Sequence, residues 1–445
     1  MDSVLLFVLG VVIILVGVAL SIALHEIGHL VPAKLFGVKV TQYMIGFGRT
    51  LFSFRRGETE YGVKAIPLGG YISMIGMFPP GKDGGSGRNA TTGFMQAMVQ
   101  DARTSSAETV GEGEEGRTFY RLPVWKRVVI MFGGPFMNLL IAVVLFGVLL
   151  MGFGTAQNSL TVGSVSQCVA TNTAATTKQT CSPSDPKAPA AAAGIKPRDT
   201  IVSIDGTKIT SWAQSTAIIR QSADRPLTVV VRRDGKDVAL TLTPTTTTVA
   251  KLDANGQVVK AADGSAETLK AGFAGIGSVP ELVPQPITSV LPAVGAQTAA
   301  VVGVVIHLPQ RMVDVWNAAF GSAPRDPNGP LSLVGVGRAA GELTALNGVP
   351  VVDKVYSMIG ILASLNIALF VFNLIPLLPL DGGHIAGALW EGFRRSIAKL
   401  FKRRDPGPVD MAKLMPLTMA VVVVLGGMSL LLMYADIVKP VNLFG

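Results

Sequence analysis

An uncharged apolar run from Val4 to Leu24 ends in His25-Glu26-Ile27-Gly28-His29, and this junction constrains the chain more than any other stretch. A run of that length is enough to cross a bilayer. On a helix, residues four apart share a face, so His25 and His29 can present two imidazole nitrogens to one metal ion, with Glu26 held beside a water on that ion. Composition places the junction in a membrane: of 445 residues, 49 % are hydrophobic and only 15 % charged, too apolar for a soluble chain of this size.

Three further runs are long enough to span, namely Val128 to Phe153, Val355 to Leu380 and Leu417 to Tyr434. Basic residues crowd two intervals, Lys34 to Lys126 and Arg394 to Lys413. The positive-inside rule makes both intervals cytoplasmic, and it puts both termini and the long middle segment outside. The +9 net charge therefore belongs to loops beside a membrane, and a nucleic-acid partner is not expected. The first run lacks a basic n-region, and cleaving it as a signal peptide would discard the metal motif, so a retained span is expected. A fifth stretch, Ile287 to Ile306, contains Pro292, Gly295 and Gln297. It is read as a surface helix, because a crossing there would carry Asp381 to the opposite face from His25.

Between the first two runs, Thr50 to Arg55 and Glu60 to Ile66 flank Arg56-Gly57-Glu58 and read as a β-hairpin, which Pro67-Leu68-Gly69-Gly70-Tyr71 breaks beside the membrane. Such a hairpin can lend an edge to an unfolded substrate segment, with Gly69 and Gly70 as substrate-positioning candidates, or it can be purely structural. Residues 79–117 turn rich in Gly, Ser, Thr and charge and read as a mobile insertion. In the second run, Asn138 is a candidate neighbour of the site, although lone amides in spans more often join helices. Cys168 and Cys181 are the only cysteines, and their closeness fits one small disulfide if the region is extracytoplasmic and two plain thiols if it is not.

The third run closes Asn373-Leu374-Ile375-Pro376-Leu377-Leu378-Pro379-Leu380-Asp381-Gly382-Gly383-His384. Two prolines break the helix where a carboxylate appears, and an ionisable group at that depth needs a partner. Zinc fits: His25, His29 and Asp381 leave a fourth position open, as catalytic zinc requires. One Zn2+ per chain is expected, with Glu26 as the general base and His384 as a candidate partner of a ligand.

Taken together, these motifs resemble the site-2 protease family of intramembrane zinc metalloproteases, most closely the bacterial RseP-like, actinobacterial-type subgroup. The resemblance covers the His25 to His29 motif, Gly46 to Tyr71, Gly134-Pro135 with Asn138, Gly329-Pro330-Leu331-Ser332, and Asn373 to His384. The stretch Ala193-Gly194-Ile195 to Ile204-Asp205-Gly206 is similar to the PDZ domain of bacterial membrane proteases, without a clear carboxylate-binding Gly-Leu-Gly-Phe loop.

The implied fold is a polytopic α-helical membrane protein with four transmembrane helices, a membrane-associated β-hairpin and an extracytoplasmic PDZ-like α/β domain. Its expected parts are 1–36 (first span), 37–127 (hairpin and insertion), 128–153, 154–250 (PDZ-like), 251–353, 354–390 (third span), 391–415 (basic loop) and 416–445. The resemblance implies zinc on His25, His29 and Asp381, Glu26 as base, and Asn373 holding substrate. It implies a multi-pass protein of the bacterial cytoplasmic (inner) membrane, in contact with the lipid bilayer. The implied substrates are single-span proteins such as anti-sigma factors, already trimmed by an upstream extracytoplasmic protease. The alternative of another class is a catalytically idle PDZ-bearing membrane scaffold with a structural zinc site.

Overall fold

The computed structural model describes residues 3–79, 94–169, 186–250, 259, 267–326 and 329–441. The chain divides into two compact units, residues 1–152 with 286–445, and residues 153–285. In chain order the first unit opens with α1 (Ser3–Leu35), β1 (Val40–Arg56), β2 (Thr59–Met74), α2 (Phe94–Glu108) and α3 (Val124–Gly147). The second unit holds β3 (Thr155–Val165), α4 (Pro189–Ala192), β4 (Thr200–Ile204), β5 (Thr207–Lys208), α5 (Trp212–Gln221), β6 (Leu227–Arg233), β7 (Lys236–Leu242), β8 (Thr245–Ala250), β9 (Thr268–Phe273) and β10 (Ile276–Val283). The first unit resumes with α6 (Val290–Ile306), α7 (Leu308–Phe320), α8 (Leu333–Ala345), α9 (Val351–Asn373), α10 (Asp381–Leu400) and α11 (Met415–Val438).

Five helical stretches among the described residues are long and apolar enough to cross a membrane: Ser3–Leu35, Val124–Phe153, Ile287–Ile306, Val351–Asn373 and Met411–Val438. Four coincide with the expected spans. The fifth is the Pro292-containing stretch expected to lie on the surface; its Val290 and Val294 pack with Ala142 of α3 and Ile367 and Val371 of α9. Prolines end α9, because Pro376 and Pro379 supply no amide hydrogen, and the chain stays non-helical from Leu374 to Leu380. The basic segment after Asp381, expected to become a loop at residue 391, remains helical through Leu400.

The hairpin is larger than its sequence signal. Val40 to Ile45 pairs on one side with Gly70 to Met74 and on the other with Glu60 to Val63, which in turn pairs with Ser53 to Arg55. Two chain segments thus build four rows, with Thr50–Arg56 at one edge and Gly70–Met74 at the other. The expected break at Pro67 to Tyr71 is a corner: the strand changes neighbours there, and Gly69 (φ +134°) takes a conformation that a side chain would strain. Tyr43 Oη donates to Ala23 O (2.8 Å) and ties the sheet to α1. Burial and the nearby Glu26 carboxylate push the Tyr43 phenol up to about 12, so it stays a neutral donor.

Residues 94–117, expected to be mobile, are tied down. Ser106 Oγ accepts from Phe78 N (2.9 Å), Arg117 forks onto Glu58 (2.7 and 2.8 Å), and Lys39 pairs with Glu114 (2.5 Å). Side-chain hydrogen bonds to the sheet replace the apolar burial that the composition lacks, which is why the composition reads as loose. The first part of that insertion, residues 80–93, lies outside the described residues, as does Cys181; Cys168 is disulfide-bonded.

The second unit is a sheet in the order β10-β3-β4-β6-β7, with β5 beside β4 and a separate β8-β9 pair. Ile195, Ile201, Ile204, Ile219, Leu227, Val229 and Val231 form its core. It extends past residue 250 because β10 pairs with β3, a long-range register that local patterning does not encode. Asp199 is buried and accepts from Arg233 Nε (2.8 Å) and Nη2 (2.7 Å) and from Lys196 N (2.8 Å). The Arg233 guanidinium holds this carboxyl below the usual carboxylate range. A depressed folded-state pKa stabilises the unit above the unfolded value of about 3.9, and the benefit is lost as pH falls through the folded value. Arg233→Ala is expected to destabilise the unit at neutral pH, by less than breaking a fully buried pair because Arg233 is partly exposed, and to weaken the acid step. Amide exchange in β4 and β6 across pH 3 to 7 measures both effects.

Candidate active site

Three side chains from two helices converge on one point. Toward the C-terminal end of α1, His25 and His29 sit one turn apart and are 9 % and 4 % exposed. Asp381 is the first residue of α10, at the end of the unwound stretch after α9, where the helix N-terminus favours a carboxylate. His25 Nε2 lies 3.3 Å and His29 Nε2 3.4 Å from Asp381 Oδ2, and the two Nε2 atoms are 3.2 Å apart. Two ligands of a tetrahedral zinc, each about 2.0–2.1 Å from the ion, lie about 3.3 Å apart. All three separations match that spacing.

The hydrogen bonds fix which atoms face inward. His29 Nδ1 is 2.7 Å from Ile130 O, a carbonyl that can only accept, so Nδ1 carries the proton and Nε2 presents a lone pair. The side-chain amide of Asn138, fully buried on α3, is 3.0 Å from His25 Nδ1 and orients that ring likewise. Its Oδ1 has no partner, and turning the amide over lets Oδ1 accept from His25 Nδ1–H, satisfying both groups. Asp381 Oδ2 is also buried without a hydrogen-bond partner. Three acceptors aimed at one point repel each other unless a cation lies between them, so the donor set fits a metal ion.

Glu26, 8 % exposed, turns to the sheet side of α1 instead of joining the cluster. A methyl group on Gly70 would lie 2.9 Å from its Cγ, so bare backbone at Gly70 lets the edge strand run alongside the carboxylate. On the opposite side α3 closes in: a side chain on Gly28 would strike Gly133 O, and one on Gly134 would strike His29 Nε2. Asn373 closes α9, and His384 lies in the first turn of α10; among the described residues no hydrogen bond joins either to the three-residue cluster.

Sequence reasoning passed over Ser21 and Asn366. Asn366 Nδ2 donates to Ser21 Oγ (3.0 Å) and so bridges α9 to α1 within the apolar layer. The signal was available as two polar residues inside apolar runs. It also passed over Glu391, fully buried on α10 and ion-paired with Arg127 of α3, which fixes the helix that begins at Asp381.

The profile of peptidase family M50 matches residues 13–405. The chain belongs to this family, the site-2 proteases. It is 33 % identical to zinc metalloprotease Rip1 of Mycobacterium tuberculosis over 443 residues, covering 99 % of this chain and all of that protein. Identity to Rip1 of Mycolicibacterium smegmatis is 34 % over 454 residues, again covering 99 % and 100 %. Metalloprotease MmpA of Caulobacter vibrioides is 29 % identical over 397 residues, 87 % of this chain and 85 % of that protein. This M50 peptidase is therefore a zinc metalloprotease and, with its apolar helices, a multi-pass membrane protein. The idle-scaffold alternative is set aside by that membership.

Proposed function

We propose that this peptidase cuts single-span membrane proteins in or beside their transmembrane segment, with zinc on His25, His29 and Asp381 and Glu26 as general base. The observation that carries the reading is that two members of the cluster lie on a membrane-type helix and the third directly follows the unwound stretch after another. Bound zinc supplies Lewis acidity, acidifying water and polarising a peptide carbonyl. Glu26 takes the water proton and passes it to the leaving amine. Asn138 and Ile130 O hold the two rings with Nε2 inward. His384 is a further candidate for steadying Asp381.

A substrate helix hides its peptide bonds in internal hydrogen bonds and must open before it can be cut. The Gly70–Met74 edge starts beside Glu26 and borders a cavity of about 590 Å3 lined by Tyr71, Ile72, Met74, Met98, Met415 and Met419. An opened segment added to that edge would be held extended next to the base, with Gly69, Gly70 and Asn373 positioning it.

Helix direction supports a topology. The C-terminal end of α1 and the unwound C-terminal end of α9 meet at one cluster, so the chain between α3 and α9 leaves and re-enters on one face. A lone crossing by α6 breaks that parity, which supports four spans, with α6 set against α3 and α9 without completing a crossing. The loop charges support a cytoplasmic-side metal cluster in a bacterial inner membrane, with the termini and second unit outside. The second unit is proposed as a PDZ-like filter that admits substrates, such as anti-sigma factors, once an upstream protease has trimmed them.

The test is reconstitution with a single-span protein and mass analysis of its fragments, with His25→Ala as the control. Cleavage within about one helical turn of the membrane segment is expected. Cutting confined to the soluble part would overturn the reading.

A further inference from the structure

The amphipathicity of α10 is inverted. At about 100° per residue, Ala388, Glu391 and Ala398 form its buried face, and Glu391, a charged residue, is fully buried there. It pairs with Arg127 and Arg395 and accepts from Val409 N (2.9 Å). The opposite face carries Leu389, Trp390, Phe393 and Ile397, continued by Leu400 and Phe401, each between 40 % and 76 % exposed. Helical spacing puts these side chains in one stripe pointing away from the protein. Yet α10 is not among the helices apolar enough to cross a membrane.

Charge flanks the stripe. Arg394, Lys399, Lys402, Arg403 and Arg404 lie along or just beyond α10, and none of these five pairs with a carboxylate among the described residues. Arg395 is different: it turns inward onto Glu391 and Asp405. At the level of Gly392, Val124 of α3 packs against α10, and its neighbour Trp125 is also exposed, with Lys126 over its ring. Aromatic side chains level with unpaired cations are the side-chain set of a membrane–water interface.

We infer that α10 is an interfacial helix whose stripe Leu389, Trp390, Phe393, Ile397 and Leu400 lies among lipid chains, and whose unpaired cations Arg394, Lys399, Lys402, Arg403 and Arg404 bind anionic phospholipid headgroups of the leaflet nearest the metal cluster. A water-facing helix would bury these aromatics and expose Glu391; an apolar medium on the outer side reverses the arrangement. The cations select anionic headgroups, each contributing about fivefold near such a surface at low salt. Through the Arg127–Glu391 pair, the same helix is pinned to α3 on its inner side, so the headgroups and α3 hold α10 from opposite sides.

The experiment uses the full chain in lipid nanodiscs of phosphatidylcholine, with or without phosphatidylglycerol. Fluorescence of Trp390, taken as the difference from Trp390→Phe, is expected to be quenched by acyl-brominated lipid and not by aqueous iodide. Amide exchange across residues 389–400 is expected to slow about tenfold when phosphatidylglycerol is added, and 1 M salt should remove most of that slowing. Lys399→Gln with Arg403→Gln and Arg404→Gln should lose the phosphatidylglycerol effect and keep the brominated-lipid quenching. Zinc content and exchange in α3 confirm that the variants are folded. Iodide quenching of Trp390, equal exchange in the two lipids, or protection that appears only as a dimer forms would each overturn the assignment.

Discussion

Replacing Glu26 by Gln is expected to leave one zinc per chain and to lower peptide hydrolysis about a thousandfold, within the range for losing a general base. The three atoms that converge are His25 Nε2, His29 Nε2 and Asp381 Oδ2, and Glu26 is not among them. Gln keeps the shape that packs against Gly70, so the edge strand stays in place. What it lacks is a carboxylate able to take a proton from water. His25→Ala should behave differently: it removes a ligand and leaves Asn138 facing a void, so zinc is lost along with activity. Metal analysis with single-turnover cleavage on both variants separates the roles. Normal cleavage by Glu26→Gln would sink the proposed base, and loss of zinc from it would make Glu26 a ligand.

The clustering of His25, His29 and Asp381 was legible because each residue rests on a local signal. The i, i+4 spacing of His25 and His29 needs only a helix, and Asp381 stands out as a carboxylate after two prolines at the end of an apolar run. Asn138 was legible as a polar residue in a span, but its partner His25 is 113 residues away, so the sequence could not choose between site and helix packing. Distance also hid the Arg127–Glu391 pair, 264 residues apart, which turns an expected basic loop into an anchored helix. The four-row sheet was half legible: the Gly57 turn announced a hairpin, whereas the second pairing of Val40 to Ile45 depends on a corner at Gly69 that no local pattern announces. Residues 94–117 misled through composition, since their order comes from side-chain hydrogen bonds to the sheet and not from buried apolar area.

Gly134→Ala is expected to weaken zinc binding about a hundredfold or more, the largest effect open to a residue that is neither ligand nor base. The added methyl would overlap His29 Nε2 and lie 2.7 Å from His25 Nε2, on the side where the ligand atoms meet. Neither ring can swing clear, because His29 is held to Ile130 O and His25 to Asn138, both on the same α3 helix that carries the methyl group. Moving α3 outward would relieve the clash and break both hydrogen bonds, so either response spoils the ligand geometry. Gly134 precedes Pro135 inside α3, where a Cβ meets the proline ring, so the exchange also strains the helix locally and adds to the clash with the imidazoles. Gly147→Ala, near the far end of α3 with open space around its Cβ position, is the matched control and should leave zinc affinity unchanged. Competition with a chelator of known affinity measures all three proteins on one scale. Equal zinc retention in the Gly134 and Gly147 variants would mean that the metal does not sit where His25, His29 and Asp381 converge.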